Sequence, residues 1–234
     1  MVNMRKVVLS KRLKAAANLV KKDKQIVDIG SDHAYLPIYL IQEQFVKQAI
    51  AGEVIQGPYQ KALQEVNKYY LSEKIEVRLG DGFEVITQTD EFSTVFICGM
   101  GGILIENILD KGLKQNKIPK DTRLVLQANN NETRVRQYLE KNNYEIIAES
   151  IVEENEKFYE VIAAELTKKK LNYTEEELFF GPKLLEEKSS IFIKKWTKEL
   201  KKNKEIIERL KDTQNKERYL EFIHKNKLIQ KVIQ

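Results

Sequence analysis

From residue 25 to residue 167, short apolar runs alternate with stretches of helical spacing, and that alternation limits the fold more than any other feature of the chain. QIVDIG, AIAGEV, KIEVRLGDG, STVFICGMGG and TRLVLQAN read as strands, while AYLPIYLIQE, PYQKALQEVNKYY and ILIENILDKG between them read as helices. Strand and helix in turn predict a parallel sheet with helices on both faces, because a parallel neighbour can be reached only by a crossover. The alternation stops at YEIIAESIVEE and KFYEVIAAEL, two strand-like runs joined by a short polar segment around Asn155. They predict an antiparallel hairpin that closes an otherwise parallel sheet, so the expected fold class is α/β.

The two ends of the chain have a different character. Residues 9–20 (LSKRLKAAANLV) place Leu9, Leu13, Ala16, Ala17 and Val20 at helical spacing, which predicts an amphipathic helix ahead of the first strand. Beyond Lys168–Lys170, Gly181-Pro182 signals a turn before a helix, and no further Gly or Pro follows. Leu185, Phe192, Trp196, Leu200, Ile207 and Leu210 recur there at helical spacing, and the polar run Asp212-Thr213-Gln214-Asn215 offers a reversal point. The expectation is a body over 1–167 and a basic hairpin of two helices, a coiled-coil-like arm, over 168–234. One long helix used for dimerisation is the alternative.

Charge is distributed along the same lines. Lys plus Arg against Asp plus Glu is 8 against 1 over residues 1–24, 14 against 23 over 25–167, and 18 against 11 over 168–234. Basic ends around an acidic middle suit a small-molecule site in the body and a polyanion at the ends; solubilising lysines on exposed helices are the plainer reading. The single cysteine, Cys98, excludes an internal disulfide, and neither C-x-x-C nor a histidine cluster offers metal spacing, so no metal is expected. With no signal-type run and no apolar stretch of bilayer length, the expectation is a monomeric protein of the cytoplasm, away from membranes.

The chemistry concentrates at the strand ends. In VDIGSDHAYLP, residues 27–37, Asp28 and Gly30 close the first strand, where glycine allows a sharp turn and close approach of a ligand. A dinucleotide enzyme would need G-x-G-x-x-G to seat two phosphates, but Gly30 is followed by Ser31, Asp32 and His33. A carboxylate in that turn opposes pyrophosphate and suits the sulfonium and amino groups of S-adenosylmethionine. Glu53 ends the second strand about twenty residues on, the place for an acid that accepts from both ribose hydroxyls. Asp81 and Gly82 follow the third strand, where a carboxylate can accept from an adenine amino group. Each acid alone is as well explained as a helix cap or turn residue. Three in register form a cofactor site. In ICGMGG, Gly99, Gly101 and Gly102 supply a bare loop before a helix N-terminus, open to a flat base, and Gly99, Met100 and Gly101 are candidates for cofactor contact, although the Asn/Asp-Pro-Pro-Tyr/Phe of many adenine-N6 enzymes is absent.

These motifs resemble the bacterial tRNA (adenine-22-N1)-methyltransferase family, of the Rossmann-like class I fold. The likeness runs through LSKRL at 9–13, DIGSDHAYLP at 28–37, AGE at 51–53, GDG at 80–82, GMGG at 99–102, LQAN at 126–129, and the tail from GPKLL through KKWTKEL. Gln127-Ala128-Asn129 departs from the family's Gln-Pro-Asn. The resemblance implies methyl transfer from S-adenosylmethionine to N1 of one adenine in the D-arm region of tRNA, with the helical arm helping to hold the RNA.

For that reaction the residues divide into roles. N1 of adenine carries an in-plane lone pair and needs no prior deprotonation, so positioning should dominate, and the base must leave its pair or stack first. Tyr35 is the candidate stacking platform, or else packs under the next helix. Asp32 orients the adenine amino group or offsets the charge that develops on the ring, or else caps the helix starting near Ala34. His33 contacts cofactor or is structural. Gln127 and Asn129 end the fifth strand and either read a base edge or serve loop hydrogen bonding. Lys11 and Arg12 are candidates for phosphates flanking the target; Arg134 and Arg136 do the same or face solvent. The competing functions are a small-molecule methyltransferase, which leaves the basic arm idle, and a nonenzymatic RNA-binding protein, which leaves the three acids unexplained. An NAD-dependent oxidoreductase lacks its glycine fingerprint.

Overall fold

In the computed structural model, which describes residues 6–22, 24–211 and 213–233, one seven-stranded sheet runs through the body in the order β3-β2-β1-β4-β5-β7-β6. Its strands are β1 (Ile26–Ile29), β2 (Ala49–Glu53), β3 (Ile75–Leu79), β4 (Thr94–Met100), β5 (Arg123–Ala128), β6 (Tyr144–Glu154) and β7 (Lys157–Leu166). β1 to β5 pair in parallel, whereas β7 is antiparallel to both β5 and β6. The expected closing hairpin is therefore present, with Asn155 and Glu156 in left-handed conformations at its turn.

β1, β2, β4 and β5 lack the polar alternation of a half-wet sheet because both faces are covered, whereas the edge strand β3 alternates buried and exposed positions at its start. β1 and β2 are buried at every position. One face packs Val27, Ile50, Val95, Ile97 and Leu126 against α4 (Gly102–Lys114) and α5 (Glu132–Lys141). The other packs Ile26, Ala49, Ala51, Phe96 and Val125 against α1 (Lys11–Ala17), α2 (Tyr35–Gln42) and α3 (Gln56–Lys68). α1 begins where Ser10 accepts a hydrogen bond from the Leu13 amide, and it buries Ala15, Ala16 and Ala17. Such small side chains let it lie close across the sheet, and it touches β4, β5, β6 and β7.

The tail is more broken than its spacing suggests. α6 (Glu175–Phe180) starts at a Thr174–Glu177 capping box with three acids in its first turn. α7 (Pro182–Glu187) opens on the expected proline and stops at Lys188, which is left-handed. Ser189 then caps α8 (Ser190–Leu210), and α9 (Lys216–Ile233) returns alongside it, Lys188 Nζ donating to the Val232 carbonyl near the far end of α9. Of the proposed reversal point, Thr213, Gln214 and Asn215 lie between the helices, while Asp212 falls outside the described residues.

The helical pair shares its core with the sheet. Phe180, Leu184, Phe192, Trp196, Leu228, Ile229 and Val232 cluster around Ile151 of β6. Arg136 contradicts the expectation of a phosphate-binding or solvent-facing residue: it is wholly buried, donating to Glu149 at 2.8 Å and Glu160 at 2.5 Å, and Lys195 of α8 donates to Glu160 at 2.5 Å. Burial alone would raise the Glu160 carboxyl, but Lys195 and Arg136 outweigh it and hold Glu160 below the ordinary carboxylate range. Its place in the α5 spacing among Val135, Tyr138 and Leu139 is what turns Arg136 inward. Among the described residues no helix is long and apolar enough to cross a membrane, and no group of three metal-ligating side chains occurs.

Candidate functional site

Strand order reverses between β1 and β4, and in open α/β sheets the ligand crevice lies beyond the C-terminal ends of the strands at such a reversal. The β1 edge of it is built by backbone. Gly30 has φ +69°, and the amides of Gly30 and Ser31 both donate to the Gly52 carbonyl, at 2.9 and 3.1 Å. Asp32, His33 and Ala34 follow with φ of 44°, 71° and 58°, three successive left-handed residues before α2 begins. Ala34 occupies the cap position without a side-chain hydrogen bond, so Asp32 is not the cap of that helix.

This turn gathers acids. Asp28 is 3% exposed and accepts from the Ser31 hydroxyl at 2.6 Å; Glu53 is 6% exposed and accepts from the Asp32 amide at 2.5 Å. Burial pushes the Asp28 carboxyl up to about 7 against the lowering effect of Ser31, and the charges of Glu53 and Asp32 add to the rise. Glu53 is raised too, chiefly by burial and against the Asp32 amide. Two buried carboxyls side by side, without a cationic side chain in ion-pair contact among the described residues, make a site that gains from a bound cation. The Asp32 side chain itself is exposed, with Oδ1 3.5 Å from His33 Nε2. The His33 ring meets Tyr35 edge-on at 5.6 Å, and Tyr35 is half-buried against the α2 side of the core.

At the end of β3, Asp81 and Gly82 (φ +57°) lead into a 3-10 turn over Gly82–Val85, where Glu84 accepts from the Asp81 amide. The Asp81 carboxylate accepts from Lys111 of α4 at 2.8 Å, a partner that the sequence reading missed.

The β4 and β5 ends interlock. Gly99 has φ +79°; its amide donates to Gln127 Oε1 at 3.0 Å, and Asn129 Nδ2 donates back to the Gly99 carbonyl at 2.7 Å. The Asn129 amide donates to the Met100 carbonyl, and Gly102 to that of Asn130. Gln127 is fully buried, its Oε1 also accepting from Arg12 and its Nε2 donating to the Ala128 carbonyl. That saturation removes it as a reader of a base edge and makes it the strut of the loop. Asn129 stays exposed at the rim. Gly101 and Gly102 lie so close to the Asn130–Asn131 turn that a Cβ at Gly102 would come within 2.7 Å of the Asn131 carbonyl. The Met100 side chain reaches across to Gly30, where a Cβ would meet its methyl at 2.2 Å. Loop and β1 turn thus face each other, and the positive φ at position 30 favours glycine, while a side chain there would displace the Met100 methyl.

The flanking cations part company. Arg12 belongs to the crevice through Gln127. Lys11 instead ties α1 to the β6 end, its amide donating to Glu154 and its ammonium to the Glu153 carbonyl. Arg134 is exposed and paired with Glu106 across α4 and α5.

A family model described as tRNA (adenine(22)-N(1))-methyltransferase matches residues 26–231. The tRNA (adenine(22)-N(1))-methyltransferase of Bacillus subtilis is 40% identical over 238 residues, 98% of this chain and 99% of that protein. A Streptococcus pneumoniae protein solved in complex with S-adenosyl-L-methionine superposes with a TM-score of 0.87 at 39% identity, covering 97% of this chain and 100% of that one. TrmK of M. capricolum, solved with S-adenosyl-homocysteine, gives 0.84 at 32% identity, over 96% and 97% of the two chains.

Proposed function

This chain belongs to the tRNA (adenine(22)-N(1))-methyltransferase family, and from that premise we propose that it transfers a methyl group from S-adenosylmethionine to N1 of adenine 22 in tRNA. The observation that carries the reading is the pair of buried acids, Asp28 and Glu53, at the β1 and β2 ends beside the left-handed turn at Gly30. Those residues fit the cofactor: a buried carboxyl with no ion-pair partner among the described residues suits its amino and sulfonium charges, and a second acid suits its ribose hydroxyls.

Asp28, Gly30, Ser31 and His33 would hold the methionine end, Glu53 the ribose, and Asp81 with Gly82 the adenine. Gly99, Met100 and Gly101 would close over it from the β4 side. The cofactor supplies the methyl group, activated on a sulfonium; the rest falls to the chain. Since N1 attacks with its own lone pair, no side chain has to remove a proton, and the contribution of the site is to fix line and distance. Tyr35 stacks the displaced base, a contact worth about 1–3 kcal/mol. Asp32, with its carboxylate exposed toward solvent, faces the adenine amino group and offsets the positive charge that methylation places on the ring. Gln127 acts from behind, keeping Gly99 in its left-handed conformation, and Asn129 presents the rim of the pocket. The basic helical pair helps to hold the RNA, its cations adding salt-dependent affinity.

The test is incubation of labelled S-adenosylmethionine with unmodified tRNA, followed by nucleoside analysis. Label in 1-methyladenosine, lost when adenine 22 is replaced by guanine, is the expected result. Cofactor binding without incorporation into any tRNA would overturn the reading in favour of a small-molecule acceptor.

A further inference from the structure

Arg12 is set apart from the other arginines of the sheet body. Arg78 pairs with Asp90 and Glu76, Arg123 with Glu165, Arg134 with Glu106, and Arg136 with Glu149 and Glu160. Among the described residues Arg12 meets no carboxylate. One Nη donates to the neutral Gln127 amide at 2.6 Å, and the guanidinium lies 5.7 Å above the Tyr159 ring of β7. Gly99 leaves room for it on the other side, since a Cβ there would fall 2.9 Å from the same Nη. α1 therefore delivers a half-buried, permanently charged fork to the β4–β5 end of the crevice. Its contacts there are neutral, although its charge reaches Asp28, and among the described residues its Nε and second Nη have no protein acceptor.

We propose that Arg12 binds the phosphodiester of the target nucleotide and so sets how deeply its base enters the crevice. An arginine fork matches two phosphate oxygens, and neutral supports leave its charge available to an anion. The adenine ring is the wrong partner. Methylation at N1 makes the ring cationic, and a guanidinium against it would raise the barrier, whereas the phosphate carries a charge that the reaction does not change. The inference rests on the tRNA reading above and adds to it the anchor of the reacting nucleotide.

The experiment compares wild type, Arg12→Gln and Arg12→Lys in S-adenosylmethionine affinity by calorimetry, and in tRNA affinity and turnover across a salt series. Arg12→Gln should keep cofactor affinity within about twofold, weaken tRNA binding by roughly tenfold or more, and reduce the slope of log affinity against log salt by about one. Arg12→Lys should restore the slope while recovering only part of the affinity. A slope unchanged in Arg12→Gln, with turnover alone reduced, would overturn the inference and leave Arg12 as a prop for Gln127. So would loss of cofactor binding in both variants. A wild-type protein inactive on every tRNA would instead overturn the functional reading on which this rests.

Discussion

Asp28 is held at the junction of β1 and the glycine turn with its carboxyl raised to about 7 from 3.8. Folding therefore keeps a proton that the unfolded chain releases, and between those two values stability falls as pH rises. Each pH unit in that window costs about 1.4 kcal/mol, so going from about pH 5.5 to 8, which passes the folded value, removes about 2 kcal/mol. For a chain of this length that lowers the melting temperature by roughly 4–8 °C. Asp28→Asn keeps the shape and removes the titration, so the variant should lose that part of the slope and be the more stable protein at pH 8, while binding no S-adenosylmethionine. The assay is thermal unfolding of both proteins over pH 5.5 to 8 without cofactor, read as the difference between the two curves, which cancels the groups that do not interact with Asp28 and reports Asp28 together with its coupling to Glu53 and Asp32. Adding cofactor should stabilise wild type and leave the variant unmoved. Parallel pH curves would refute the reasoning, since Asp28 would then not be the group that burial has strained.

Three further outcomes follow from the geometry. Gln127→Ala removes the strut of the Gly99 loop and should lower turnover about tenfold or more with cofactor affinity kept within a few-fold, measured by single-turnover transfer and calorimetry; equal loss of both would place Gln127 at the cofactor. Tyr35→Ala should reduce tRNA turnover by the roughly 1–3 kcal/mol of one stacking contact and spare cofactor binding; loss of cofactor alone would put the target base elsewhere. Arg136→Ala takes the guanidinium from buried Glu149 and leaves Glu160 with Lys195 alone, and should destabilise the fold by about 3–5 kcal/mol in denaturant unfolding, whereas Arg134→Ala, on the surface, should be near neutral.

The sheet and its closing hairpin were legible because both faces are covered and the period of the apolar runs changes at each element. The acids at the strand ends were legible for a related reason: strand ends are visible in sequence, and residues that follow them share one rim. What was not legible is what joins distant segments. Nothing local tells Gln127 from Asn129, yet one is a saturated strut and the other a rim residue, because β5 ends at Ala128 and the Gly99 loop and Arg12 close over the amide still within the strand. Arg134 and Arg136 read alike on the chain; a helical turn aims one at Glu106 and the other into a buried charge cluster. Lys111 on Asp81 and Tyr159 beneath Arg12 depend on packing between elements far apart in sequence. The break at Lys188 has no glycine to announce it, although Ser189 as a cap was readable, as was the Thr174–Glu177 capping box at the start of α6.

The buried charge cluster also bears on where this protein can be divided. A cut near Lys168–Lys170 looks safe on the chain, falling in a polar stretch between the last strand and the tail. It would strip Glu160 of Lys195, take the Leu178 and Phe179 carbonyls from Arg136, and uncover Ile151 on β6. The covalent boundary and the energetic one do not coincide: the second passes through β6 and β7. Anyone grafting the tail onto another methyltransferase, or trimming it to ease crystallisation, would have to carry those two strands with it.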